Sequence, residues 1–178
     1  MNNILVIGAC GQLGSELTVA LRAIHGADRV IAADKRDQVP QIAGGPYEYL
    51  DVMDDAQLRA VIKKHQVTEV YHLVAMLSAT AEKMPLLGWD LNMKSLLSIL
   101  EMGKEGILKK IYWPSSIAVF GPNTPKSNTP QSTITEPVTV YGISKLAGEQ
   151  WCSYYHQRYG VDVRSLRYPG LIGYKSAP

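Results

Sequence analysis

With 178 residues, 46% of them hydrophobic, the chain is long enough to bury one sizeable core and short enough to favour a single domain. Eighteen basic against sixteen acidic residues leave a net charge of +2, which argues against a nucleic-acid or membrane-surface partner. No apolar run approaches the roughly 20 residues of a membrane span. From the opening strand pattern no signal peptide is expected. Cys10 and Cys152 fall on separate elements, so reduced thiols in a cytoplasmic setting are expected.

The first element, Ile4-Leu5-Val6-Ile7, is a short apolar run that reads as a buried strand. Gly8-Ala9-Cys10-Gly11-Gln12-Leu13-Gly14 follows, and then Ser15 to His25, in which Leu17, Ala20, Leu21 and Ile24 recur at helical spacing. Strand, glycine turn and helix in this order suit a dinucleotide. Gly8 makes the tight turn, Gly11 lets backbone approach a pyrophosphate, and Gly14 lets helix and strand pack closely. The pyrophosphate would rest on the helix N-terminus, where free N–H groups and the dipole favour an anion. The spacing is G-x-x-G-x-x-G rather than the G-x-G-x-x-G of many dehydrogenases. Cys10 there is open to two readings, an acidified thiol at a helix start or a small residue filling the turn.

A second apolar run, Arg29 to Asp34, ends on a carboxylate about 20 residues past Gly14, where the partner of a ribose 2′-hydroxyl belongs. That acid favours NAD over NADP. Lys35 and Arg36 beside it read as a solvated loop start or, alternatively, as holders of a 2′-phosphate. A third strand is expected near residues 47–50, a helix from Asp54 with acids in its first turn, a fourth strand over 69–75, a long helix over 86–102 and a fifth strand over 110–114. Residues 121–137 carry Pro122, Pro125, Pro130 and Pro137, too many for a helix or a central strand, so a long functional or mobile loop is expected. A helix over 141–159 and a strand over 162–167 close the series. Strands alternating with helices predict an α/β fold with a parallel, doubly wound sheet, whose ligands bind beyond the C-terminal strand ends. Gly8, Asp34, Asp51, Ala75, Ser115 and Tyr168 all fall there.

Tyr141 and Lys145 share a face of the last helix, four residues apart. An ammonium near a phenol of ordinary pKa about 10 favours the phenolate, so Tyr141 could serve as a base nearer neutral pH, an ordinary solvated helix face being the other reading. His25, His65, His72 and His156 show no ligand spacing, and no metal site is expected.

Gly8-x-x-Gly11-x-x-Gly14, Asp34, Asp51-Val52, His72-Leu73-Val74-Ala75, Asn92, the run Pro114 to Gly121, Tyr141-x-x-x-Lys145 and Arg167-Tyr168-Pro169-Gly170 resemble, in that order, the motifs of the extended short-chain dehydrogenases/reductases. The resemblance spans the whole chain. Within that superfamily, Met76 to Ala79, Leu87 to Met93 and Arg167 to Gly173 are most similar to the NAD-dependent L-threonine 3-dehydrogenases of the short-chain type. It implies a Rossmann-type domain over 1–178 with NAD as cofactor. Gly8, Cys10, Gly11, Gln12, Leu13 and Asp34 would hold the dinucleotide, Asp51 and Val52 would meet the adenine, and Leu73, Val74 and Ala75 would line the cofactor. Tyr168 and Pro169 would flank the nicotinamide. Ser116, Tyr141 and Lys145 would be the catalytic residues, Ser115 would line the site, Asn92 would organise it, and Ser78, Ser116 and Tyr141 would touch the L-threonine substrate. Two serines after a strand also suit a turn or a cap.

The resemblance further implies a homodimer through helices 86–102 and 141–159, with Trp151, Tyr154 and Tyr155 serving the contact or the core. Relatives continue past this point into a small substrate-binding domain, so a fragment is expected. Two rivals share the motifs, a nucleotide-sugar epimerase or dehydratase and a non-enzymatic NAD-binding sensor. Leu77 stands where many epimerases have lysine, and Ser116-Ile117 replaces the dehydratases' acidic pair. Sensors have usually lost the tyrosine or the lysine.

Overall fold

Strand β1 (Asn3–Ile7) is buried along almost its whole length, and its side chains divide by parity between two cores. Leu5 and Ile7 face one side with Leu58, Ile62, Leu96, Ile99 and Trp113, while Ile4 and Val6 face the other with Leu21, Val30 and Ile42. A continuous apolar run is what a strand covered on both faces requires. The computed structural model describes residues 2–173. In it the elements follow as α1 (Gln12–His25), β2 (Val30–Asp34), β3 (Tyr47–Tyr49), α2 (Asp55–Lys64), β4 (Val67–His72), α3 (Ser78–Lys83), α4 (Pro85–Lys104), β5 (Lys110–Tyr112), β6 (Ser115–Ser116), α5 (Val140–Tyr159), β7 (Val163–Arg164) and β8 (Arg167–Tyr168).

Six strands form a parallel sheet in the order β3-β2-β1-β4-β5-β7. This is the doubly wound, Rossmann-type arrangement expected, and its topological switch point lies between β1 and β4. Ile7 pairs with Ala33 on one side and with His72 on the other, so the strands end flush and their C-terminal loops surround one crevice.

Three larger features depart from the sequence reading. The fourth strand ends at His72 rather than at residue 75, because its neighbour β1 stops at the Gly8 turn and only Leu73 N–H still reaches Ile7 O, at 2.9 Å. The expected strand over 162–167 is two strands. Val163 and Arg164 complete the main sheet, whereas Arg167 and Tyr168 pair with Ser115 and Ser116 in a separate two-stranded sheet. The backbone ladder nonetheless runs on between them, Trp113 N–H bonding Arg164 O and Ser115 N–H bonding Leu166 O. Helix α3 was not anticipated from Ser78-Ala-Thr-Ala-Glu-Lys83, which carries no apolar period and buries only Ala81.

The Pro-rich loop holds no helix or strand over 121–137. It is pinned by buried Thr124, whose hydroxyl accepts from Gly121 N–H and donates to Ile134 O. Helix α5 then starts on a Thr139 cap that accepts from Gly142 N–H at 3.0 Å, and it ends on Gly160 in the left-handed region. Among the described residues no helix is long and apolar enough to cross a membrane.

Candidate active site

The glycine turn is built by contact as well as by conformation. Gly8 has φ +84°, and a Cβ on Gly14 would lie 2.1 Å from Gly8 O, so α1 presses directly on the turn that precedes it. Gly11 immediately precedes helix α1, with no side chain bonded across the helix start. Its first N–H groups are therefore left for an anion, as a pyrophosphate requires. Cys10 fills the turn. It is buried, with Sγ 3.4 Å from Asp37 O and 3.6 Å from the Tyr47 hydroxyl, and its backbone N–H bonds Asp34.

Asp34 is 7% exposed at the end of β2. Its carboxylate accepts from the backbone N–H of Cys10 (2.9 Å) and Arg36 (3.1 Å) and from Nε and Nη2 of Arg36, both at 3.2 Å. Burial pushes the carboxyl up, but the Arg36 guanidinium and the two backbone donors hold it below its ordinary value. Lys35 turns away to Asp51, 2.6 Å off.

At the other end of the crevice stand Ser116, Tyr141 and Lys145. Ser116 caps a short 3-10 turn, its hydroxyl accepting from Ala118 N–H at 3.1 Å, so the cap and the site use the same side chain. Tyr141 lies in the first turn of α5. Lys145 is 2% exposed; its Nζ donates to Pro114 O at 2.7 Å, sits 4.3 Å over the Trp113 ring and lies 5.5 Å from the Tyr141 ring centre. Burial draws the ammonium down to about 8, where it is still charged at neutral pH.

The expectation that Lys145 lowers the Tyr141 pKa is corrected here. Burial raises the phenol above its ordinary value, and the opposing influence comes from the Ser116 hydroxyl rather than from the lysine, whose ammonium is directed at Pro114 and Trp113.

Behind the site, α4 supplies two buried polar side chains one turn apart. Asn92 accepts from Met76 N–H (2.8 Å) and donates to Met76 O and to Ser144 Oγ (3.0 Å), while Ser144 donates to Tyr141 O. Asn92 thereby ties the crevice loop to the turn that carries Tyr141. Ser95 donates to Leu91 O and so receives His72 Nε2–H at 2.8 Å. This leaves His72 Nδ1 buried without a partner and the imidazole neutral, held down to about 3 by burial and by Lys145.

The crevice has a volume of about 670 Å³, within the range of small-molecule sites. Among the sequence-predicted residues it brings together Gly8, Gly11, Gln12, Leu13, Asp34, Leu73, Val74, Ala75, Ser115, Ser116, Tyr141, Lys145, Tyr168 and Pro169. Cys10, Asp51, Val52, Asn92 and Ser78 lie outside its lining. Val52 is in the core, Asp51 is paired with Lys35, and Ser78 is exposed on α3. Ser115 lines the crevice, yet its hydroxyl donates to Glu149, which also holds Arg167. The Tyr168 hydroxyl accepts from Tyr112. Sequence reasoning did not place Gly14, Arg36, Leu77, Pro114 or Leu171 in the lining. Of these, Gly14 carried a signal as the third glycine of the turn, Arg36 as a cation two residues past the ribose acid, and Pro114 and Leu77 through the family motifs. Among the described residues no three His, Cys, Asp or Glu side chains are grouped to hold a metal ion.

The NAD dependent epimerase/dehydratase family model matches residues 4–178. The chain belongs to this family. An uncharacterized epimerase/dehydratase of Staphylococcus saprophyticus is 46% identical over 180 residues, a stretch that takes in 100% of this chain and 56% of that protein. Among solved structures, a partial consensus L-threonine 3-dehydrogenase is 53% identical with TM-score 0.95, covering 99% of this chain and 56% of its own. The holo form of a GalE-like L-threonine dehydrogenase from Cupriavidus necator is 50% identical with TM-score 0.96, covering 99% and 57%. The family member described here thus spans little more than half the length of the relatives it matches.

Proposed function

We propose that this family member binds NAD in the crevice and carries the catalytic residues of an L-threonine 3-dehydrogenase. The observation that carries the reading is the convergence of Ser116, Tyr141 and Lys145 on the same crevice as the Gly8–Gly14 turn and Asp34. The choice of threonine is supported by the L-threonine dehydrogenase structures that superpose on almost the whole chain.

NAD, when bound, supplies the acceptor for the hydride that leaves threonine Cβ. The uncapped start of α1 and the glycine turn would hold its pyrophosphate, and Asp34 would accept from the adenosine ribose. Tyr141 takes the proton from the side-chain hydroxyl of threonine. Ser116 hydrogen-bonds the same oxygen and steadies the developing carbonyl. Lys145, charged below about pH 8 and held on Pro114 O, would reach the nicotinamide ribose. The product is 2-amino-3-ketobutyrate. We place the groups that grip the substrate's ammonium and carboxylate in a further substrate domain, as the resemblance implies.

We also place the protein in the cytoplasm, since Cys10 and Cys152 are both free and buried. It is proposed to act as a homodimer through α4 and α5, which expose Leu86, Leu87, Trp89, Ile143, Trp151 and Tyr154.

A nucleotide-sugar epimerase is the second reading, favoured by the family description and by the names of the curated relatives. Against it, Leu77 lines the crevice where many epimerases have lysine. Mixing the full-length protein with NAD and, separately, L-threonine, L-serine or a nucleotide sugar decides between them. NADH absorbance that rises only with threonine is the expected result, and a response only to the sugar transfers the assignment to the epimerase.

A further inference from the structure

The Asp34 carboxylate has no lone-pair direction to spare. Oδ1 accepts from Arg36 N–H and Nε, and Oδ2 from Cys10 N–H and Arg36 Nη2, four donors for two oxygens. The two backbone donors belong to a fixed frame. The Tyr47 hydroxyl donates to Arg36 O, Cys10 Sγ lies against Asp37 O, and β2 below is fully buried. The two side-chain donors do not. The Arg36 side chain is 61% exposed against 9% for that of Asp34, and its Nη2 lies 3.9 Å from where a Cβ on Gly11 would stand, above the glycine turn. A ribose diol offers donors to the same oxygens that Arg36 now fills. The neighbouring cation does not compete, because Lys35 is held on Asp51.

We propose that Arg36 is a latch on the ribose acceptor: its guanidinium must swing off Asp34 before a nucleotide can seat, and once released it is the nearest cation to the ribose 2′ position. The inference rests on the NAD reading above and deepens it. Its consequence has an unusual sign. A residue that holds NAD weakens binding when removed, whereas a latch tightens it. For the 2′-phosphorylated nucleotide the sign reverses, because the released guanidinium is what offsets the repulsion between the phosphate and Asp34. Arg36 thus narrows the preference for the unphosphorylated cofactor by slowing that cofactor and serving the other.

The test is a fluorescence titration of NADH and of NADPH into the wild-type chain, Arg36→Ala and Arg36→Lys. The lysine variant keeps the positive charge near the crevice but cannot make the two-pronged bond to Asp34. Both variants should bind NADH more tightly, by about two- to fivefold, the size of an exposed ion pair. Arg36→Ala should bind NADPH more weakly than the wild type. NADH binding that is unchanged or weaker in both variants, with the wild type binding normally, overturns the latch and leaves the cofactor assignment standing. A wild-type chain that binds neither nucleotide overturns both.

Discussion

Tyr141 and Lys145 divide the chemistry unevenly. The phenol is raised by burial and opposed by the Ser116 hydroxyl, while the ammonium is so buried that its own proton is loosely held. Tyr141→Phe removes the proton acceptor and leaves the glycine turn and Asp34 untouched. Threonine-dependent NADH production should fall by about 10²- to 10⁴-fold, with NADH affinity in a fluorescence titration nearly intact. Lys145 also ties the fold to pH. Its pKa is about 8 in the folded chain against 10.5 for the free side chain, so between these values the unfolded chain carries the extra proton. Stability from this group therefore rises with pH across that window, and below about 8 its burial is a standing cost. Urea denaturation at pH 8 and pH 10 should show a smaller stability gain, or a larger loss, for Lys145→Met than for the wild type. Equal changes in the two proteins would place the ammonium in water.

At the scale of elements, α5 is the part on which the site depends. It rests on Trp113 through Gly148, where a Cβ would come within 2.3 Å of the indole Cη2, and one turn earlier it lays Lys145 over the same ring. Gly148→Ala has to push the helix or the indole aside. We expect a loss of about 1–3 kcal/mol in urea denaturation, as for other overpacked cores. Turnover should fall more than NADH affinity does, since the dinucleotide turn is on β1 and α1. The extent of α5 was legible to within a residue, as was the burial of β1 from its continuous apolar run, whereas the Thr139 cap was not singled out. Helix α3 was not, because a single buried alanine leaves no periodic trace. Nor was the split of the last strand, which shows only in its pairing with β5 and β6, about 50 residues earlier in the chain.

For the whole molecule, the sheet order brings residues from the first and last thirds of the chain to one crevice, and α4 packs beside α5 with apolar side chains left outward. Trp151, Tyr154, Tyr155 and Tyr159 form edge-on and tilted ring contacts there, with Lys104 over Tyr159. If α4 and α5 join two copies, Leu86→Glu combined with Trp151→Glu should bring sedimentation equilibrium from the dimer mass to that of one chain, with circular dichroism unchanged. A wild-type protein already at the mass of one chain would end the dimer proposal.

The sequence by itself determined the glycine turn, the acid at the end of β2, the Tyr141–Lys145 pair and the alternating elements that wind a parallel sheet. All of these are local, fixed by residue spacing and by helix and strand periods. Only the tertiary structure decided that Arg36 lies over Asp34, that Ser115 serves Glu149 while Ser116 faces Tyr141, and that burial raises the tyrosine instead of the lysine lowering it. Those outcomes turn on desolvation and on distances of a few ångströms between groups far apart in the chain, and neither quantity is carried by the order of residues alone.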